Sequence, residues 1–259
     1  MGRKIQAASD SIELFATGEG IRTVESPVRQ KILLMLKERE LTFDEIVSGS
    51  GRAKSTVSVH LKMLVDERII DSVPDPLDAR KKIFFLNSSH IGDLSKHARA
   101  CADIKSHIAG YDIDSGNTQE FFKLMFRTIK IGLLCEGVNI DPILHEAGKN
   151  VGERLYEKVA DRDIGRFIAN IAEFWENHGL GRIVAESLDP VTLYVYDCFE
   201  CKDLPDQGKP ACSFDSGILS ALFSAYYGES MAAEEVDCYA KGNDRCKFII
   251  KKSKNFKRT

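Results

Sequence analysis

From Ser26 to Glu38 the stretch SPVRQKILLMLKE sets a Ser before a Pro and spaces Val28, Ile32, Leu33 and Met35/Leu36 at helical intervals. That predicts a helix with a Ser N-cap, Pro at its first position and one buried stripe. LTFDEIVSGSG predicts a short helix behind a Thr cap, running through Val47 to a Gly/Ser stop. RAKSTVSVHLKMLVDERII opens a longer helix with Val57, Leu61, Leu64 and Val65 inward. After Arg68 the period shortens, so that IIDSV and KKIFFL read as two strands joined by the turn-rich PDPLDAR. Helix, short helix, turn, helix, hairpin is the order of a winged helix-turn-helix.

Further along, SSHIGDLSKHARACADIKSHIAGYD puts Ile91, Leu94, Ala98, Cys101/Ala102 and Ile104/Ile108 on a helical stripe ending at Gly110. It predicts a linker helix, the kind of element that pairs with its copy in a homodimer and sets half-site spacing on DNA. Helical spacing returns in QEFFKLMFRTIKIGLLCEG, DPILHEAGKNVGERLYEKVA and DIGRFIANIAEFWENHG. GRIVAESL and PVTLYVYDCFE alternate as strands, FDSGILSALFSAYYG is a helix, and MAAEEVDCYAKGNDRCKFIIKK is a hairpin turned at Lys241 to Asp244. The fold expected is mixed: a mainly α winged helix-turn-helix with a β wing, a linker helix, and a C-terminal α+β domain. The expected boundaries are an N-terminal segment 1–20, a head 21–89, a linker 90–116, a sensor domain 117–250 and a basic tail 251–259.

Composition narrows the class. With 43% hydrophobic and 29% charged residues the chain reads as soluble and folded. Its apolar runs are too short for a membrane helix, and MGRKIQAASD lacks a secretory core, so a cytoplasmic protein without a membrane partner is expected. Charge is uneven: residues 21–90 hold 12 Lys+Arg against 10 Asp+Glu, and the tail KKSKNFKRT is basic. The asymmetry fits a polyanionic partner.

In the head, Arg52, Lys54, Ser55, Thr56, Ser58, His60 and Lys62 are the polar residues left outward on and before the second long helix, in position for base edges and phosphates. Arg80, Lys81 and Lys82 on the wing suit the phosphate backbone of double-stranded DNA. A solvated protein-contact module is the alternative reading. The run STVSVHLKMLVDERII resembles the recognition helix of the ArsR-like winged-helix family.

Seven cysteines, an odd number without an export signal, favour thiols, metal ligands or redox-labile pairs over a disulfide framework. Five fall late in the chain, at Cys198, Cys201, Cys212, Cys238 and Cys246. Glu235, Cys238, Ala240, Gly242 and Cys246, with Cys212 and Gly217 upstream, resemble the signature of the 4-vinyl reductase domain family. That resemblance implies structural zinc on Cys212, Glu235, Cys238 and Cys246, a closed four-ligand set with no open position for catalysis. Together the two halves resemble the redox-responsive transcription regulators of methanogens, which implies dimeric promoter binding altered by thiol oxidation. Cys198, Cys201, Cys212, Cys238 and Cys246 are then the candidate redox thiols, the first two forming a C-x-x-C pair. Two alternatives remain: a regulator of the same architecture that senses a small molecule or metal ion with structural cysteines, and a thiol or tetrapyrrole enzyme with an auxiliary head. No G-x-G-x-x-G, Walker A or H-E-x-x-H run is present, so no enzyme is expected. Helix aromatics such as Phe122, Phe126 and Trp175 read as core or as an effector pocket.

Overall fold

A computed structural model describes residues 11–95, 116–204 and 206–253. The chain divides into two compact units, one holding described residues up to Ser95 together with Gly137–Asn139, the other holding 116–136 and Ile140 to Ser253.

The first unit opens with a hairpin of β1 (Ser11–Thr17) and β2 (Gly20–Val24). The helix α1 (Pro27–Glu38) follows, with Ser26 as N-cap and Pro27 at its start. Its stripe buries Ile32, Leu33 and Leu36. Gln30, also buried, donates from Nε2 to the carbonyls of Ser11 (2.6 Å) and Val24 (3.1 Å), tying the hairpin to α1. After β3 (Leu41–Thr42), α2 (Phe43–Ser50) begins with a reciprocal capping box between Thr42 and Glu45 and ends at Gly51 in the left-handed region. α3 (Lys54–Asp66) buries Val57, Leu61 and Leu64. β4 (Ile70–Pro74) and β5 (Lys82–Leu86) pair antiparallel as the wing, and β3 adds to β5.

Three features depart from the sequence reading. The segment assigned to the N-terminal arm carries β1, whose Phe15 is fully buried. Ile91 and Leu94, read as the start of the linker helix, lie instead on β6 (Ser89–Ser95), where Leu94 faces Ile12 of β1. Residues three apart share a helix face but point to opposite faces of a strand, and the partner strand that decides between the two is distant in sequence. The remainder of the linker, Cys101 included, lies outside the described residues. Finally β7 (Val138–Asn139), from within the expected sensor range, pairs with β6 in the first unit.

The second unit places α4 (Thr118–Cys135), α5 (Asp141–Val159) and α6 (Ile164–Asn177) before the strands β8 (Arg182–Leu188) and β9 (Val191–Tyr196). α7 (Ser213–Tyr227) precedes β10 (Met231–Asp237) and β11 (Cys246–Lys252). The sheet is antiparallel in the order β10-β11-β9-β8. Phe167, Ile171 and Trp175 of α6, Leu193 and Val195 of β9, Leu219 and Phe223 of α7 and Phe248 of β11 form its fully buried core. Lys251 and Lys252, read as the first residues of a free tail, complete β11 and pair with Glu234 and Glu229.

α5 and α7 approach backbone to backbone. A Cβ on Gly217 would stand 2.1 Å from the His145 carbonyl oxygen, and one on Gly148 2.1 Å from that of Phe214. Only hydrogen fits at either position, so this contact sets where the N-terminus of α7 stands.

Candidate functional site

At that N-terminus Cys212 is the N-cap residue of α7. Cys198 and Cys201 lie in the turn after β9, which the chain enters through Asp197 at positive φ. The Cys198 carbonyl accepts from the backbone N–H of Cys201 (3.4 Å) and Lys202 (3.1 Å), closing that turn. Cys238 stands just past β10 rather than on it, at the entry to a 3-10 turn, Tyr239–Lys241, and Cys246 opens β11. Gly242 ends the turn in the left-handed region, Ala240 is fully buried beneath it, and the Asn243 side chain accepts from the Cys238 N–H at 3.1 Å. The signature glycine and alanine are thus what lets the hairpin corner fold its two cysteines inward.

All five sulfurs are buried and unbonded. Cys201 and Cys246 stand 3.2 Å apart, Cys198 and Cys212 3.5 Å, Cys212 and Cys246 3.6 Å, and Cys212 and Cys238 3.9 Å. A tetrahedral ion with sulfur ligands at about 2.3 Å holds them about 3.8 Å apart, so this spacing fits a thiophilic cation. Two four-donor groups result, Cys198, Cys201, Cys212 and Cys246, and Cys212, Glu235, Cys238 and Cys246; within each, the donor atoms lie within 4.8 Å of one another. Either can hold a metal ion. Glu235 accepts from the Cys212 N–H through Oε2 at 2.9 Å, while its Oε1 is buried with no hydrogen-bond donor.

Around the sulfurs runs a charged layer that sequence inspection did not single out. Glu200, between Cys198 and Cys201, is fully buried and accepts from the N–H groups of Phe214 (3.4 Å) and Asp215 (3.0 Å), capping α7 from outside its own segment. Lys130 of α4, itself buried, meets Glu200 at 3.0 Å and donates to the Ala211 carbonyl. Arg127, one turn earlier, donates to the carbonyls of Phe199 (2.7 Å) and Cys198 (3.1 Å) and pairs with Asp203. Asp215 is fully buried, with Oδ2 3.5 Å from the Cys198 sulfur and Oδ1 without a donor. The one advance signal was two cations three positions apart on an otherwise apolar helix, at Arg127 and Lys130.

These surroundings sort the protonation states. Burial works against the Lys130 ammonium, but the charges of Glu200, Asp141 and Cys212 outweigh it and hold its pKa above the ordinary value. Burial raises Glu200 to about 7 against the pull of Lys130. Glu235 rises to about 9, through burial and then the charge of Cys238. Burial, followed by the negative charge of Cys198 and Glu200, pushes Asp215 well above the carboxylate range. At Cys198 burial opposes ionisation, yet hydrogen bonds from the facing sulfurs carry its pKa well below the usual thiol value; those sulfurs, Cys201 foremost, do the same for Cys238.

In the first unit, Arg52, Lys54, Ser55, Thr56, Ser58 and Lys62 are exposed on and just before α3, and Arg80, Lys81 and Lys82 are exposed at the wing. Lys54 meets Asp44 at 3.2 Å and Arg80 meets Asp78 at 3.0 Å, both at the surface. His60 is half-buried, and its Nδ1 is enclosed without a hydrogen-bond partner. Val59, not singled out in the sequence, is 59% exposed on the same helix, an apolar group of the type that touches thymine methyls.

The second unit also has an apolar recess of about 300 Å³ lined by Phe122, Met125, Phe126, His178, Leu180 and Phe199 among others. Phe167 and Trp175, by contrast, are core. Among the described residues no helix is long and apolar enough to cross a membrane.

Comparison with known proteins gives two local matches. Residues 26–72 match the family of bacterial regulatory proteins named for arsR, and residues 191–252, which include all five clustered cysteines, match the 4-vinyl reductase domain. An uncharacterized protein of Methanocaldococcus jannaschii is 29% identical over 138 residues, 51% of this chain and 81% of its own length. Two solved structures are similar at low identity. A vinyl-4-reductase family protein from Methanocaldococcus jannaschii aligns with a TM-score of 0.38 at 16% identity, covering 57% of this chain and 89% of that one. The phenol-responsive sensory domain of the transcription activator PoxR, solved with phenol, aligns with a TM-score of 0.42 at 14% identity, covering 59% and 92%.

Proposed function

Since one chain carries an arsR-family helix-turn-helix at residues 26–72 and a 4-vinyl reductase domain at residues 191–252, we propose that it is a homodimeric transcription regulator whose C-terminal domain reads redox state through its clustered thiols and holds zinc there. The helix-turn-helix implies binding to double-stranded DNA, and points to a regulator rather than an enzyme. In this reading residues 21–89 are the head, 90–116 join it to the sensor, and 117–250 are the sensor. α3 enters the major groove with Ser55, Thr56, Ser58 and Val59 toward base edges, while Arg52, Lys54, Lys62, Arg80, Lys81 and Lys82 hold phosphates. His60, half-buried, positions α3 rather than reading a base. The exposed apolar row Phe121, Phe122, Met125 and Ile129 on α4 supports pairing with a second copy.

The observation that carries the redox reading is that two cysteine pairs stand unbonded at 3.2 and 3.5 Å. Formation of a sulfur–sulfur bond, about 2.05 Å long, takes two electrons and two protons from each thiol pair and delivers them to a peroxide or to an exchanging disulfide. The sulfurs then draw together by more than 1 Å, about the difference between those spacings and a bond. That pulls the Cys198–Cys201 turn toward α7 and β11. Zinc would be held by Cys212, Glu235, Cys238 and Cys246, and when bound it ties hairpin to helix and keeps its thiols deprotonated. Four protein donors leave no place for a substrate, so its role is structural.

The test is a gel shift of the full chain on its own upstream DNA with and without reductant, run beside a zinc assay. A several-fold change in affinity between reduced and oxidised protein is expected. Redox-independent binding would favour a second reading, for which the apolar recess beside Phe122 and Phe126 speaks: a small-molecule effector acting on a domain with purely structural cysteines.

A further inference from the structure

The two four-donor groups of the sulfur cluster overlap. Cys212 and Cys246, 3.6 Å apart, belong to both, while Cys198 and Cys201 complete one group and Glu235 and Cys238 the other. A tetrahedral cation takes four donors. Placed on the group with Glu235, it leaves the buried sulfurs of Cys198 and Cys201 against Cys212 at 3.5 Å and Cys246 at 3.2 Å. A thiolate has three lone pairs, so a sulfur bound to one cation can bind another.

Each end of the cluster also carries a carboxylate oxygen that is buried without a donor. Glu235 Oε1 stands at the Cys238 end, and Asp215 Oδ1 belongs to the carboxylate beside Cys198. A buried oxygen with no partner is costly unless a cation or proton meets it. One such oxygen at each end marks a place for positive charge at each end, and the lysine and arginine nearby are committed elsewhere, Lys130 to Glu200 and Arg127 to Asp203.

We propose that the cluster binds two thiophilic divalent cations at once, one on Cys212, Glu235, Cys238 and Cys246 and a second on Cys198, Cys201, Cys212 and Cys246, with Cys212 and Cys246 as shared bridging thiolates. The inference rests on the metal-binding part of the reading above and extends it in the number and position of the ions. It gives the C-x-x-C pair a ligand role, and it makes Cys212 and Cys246 the residues on which both ions depend.

Zinc alone is the probe. The reduced full chain is loaded with excess zinc, freed of unbound ion by gel filtration and weighed intact by native mass spectrometry, with circular dichroism to check folding. Two zinc ions per chain are expected, falling to one in Cys198→Ser/Cys201→Ser and to one in Glu235→Gln/Cys238→Ser. A single zinc in the unmodified chain overturns the two-ion proposal and leaves the one-site reading intact; no zinc at all overturns both. Two ions retained by Cys198→Ser/Cys201→Ser also overturn it, because the second ion then sits elsewhere. Cadmium-113 NMR of the cadmium-loaded unmodified chain needs no variant: two resonances split by each other through shared sulfur are expected, and a lone resonance counts against the proposal.

Discussion

The sulfur atoms of Cys201 and Cys246 stand 3.2 Å apart across 45 positions of sequence, with no bond between them. The turn after β9 supplies one and the first residue of β11 the other, and β9 and β11 are neighbours in the sheet, with Cys246 opposite Val195. Oxidation of the metal-free chain is therefore expected to join Cys201 to Cys246, and Cys198 to Cys212. Peptide mapping of the non-reduced protein checks the pairing. Cys246→Ser should abolish the first crosslink and leave the second, and a dominant Cys198–Cys201 bond would contradict the geometry.

The close approach of α5 and α7 makes a second prediction. Gly217→Ala drives a methyl to 2.1 Å from the His145 carbonyl oxygen, and Gly148→Ala does the same at Phe214. Each should destabilise the domain by about 3 kcal/mol or more, at or above the upper end of ordinary overpacking because the obstacle is backbone. Gly132 of α4 has nothing within 4 Å of such a methyl, so Gly132→Ala should instead stabilise by about 0.5–1 kcal/mol. Denaturant unfolding of the three variants gives the comparison.

Lys130 and Glu200 give a pH-dependent one. Glu200 has a folded pKa of about 7 against 4.5 for the free side chain, so the folded state takes up a proton as it forms. Its contribution to stability is complete below pH 4.5 and is lost as pH rises through 7. Lys130→Met removes the cation that faces the ionised carboxylate and leaves a buried charge unpaired, a loss of about 3–5 kcal/mol. The loss should be largest at pH 8 and much smaller at pH 5, where the carboxyl is protonated. Unfolding of metal-free, reduced protein at the two pH values measures it, and an equal loss at both would rule this account out.

For the head, Lys81→Ala/Lys82→Ala should weaken DNA binding to a similar degree on every sequence and lower the salt slope by about 0.9 for each phosphate that is no longer neutralised. Val59→Ala and Ser55→Ala should alter preference between sequences while leaving that slope in place. Anisotropy titrations at several salt concentrations separate the two behaviours.

Long segments with a steady period were legible from the chain alone. α1, α3 and the helices from α4 to α7 repeat apolar residues over several turns, and the bonds that make a helix lie within the segment that shows the pattern. Thr42 and Glu45 announced the start of α2 for the same reason, since both halves of the capping box are local. Strands with remote partners were harder. β1 and β6 make their ladder with each other, so neither carries in its own residues the evidence for pairing, and Ile91 and Leu94 passed for a helical stripe.

The same division holds at the site. Sequence by itself determined that five cysteines crowd the last quarter of the chain, that a glutamate and a glycine stand at fixed offsets among them, and that a helix with exposed polar residues leads a basic wing. Only the tertiary structure decided that Cys198 and Cys201 share sulfur contacts with Cys212 and Cys246, and that Glu200 and Asp215 lie buried among them with Lys130 and Arg127 close by. Those contacts join α4, the turn after β9, the start of α7 and the hairpin corner. A charge or thiol is buried only when distant segments close over it, and the folding of those segments is not written in the neighbours of any one of them.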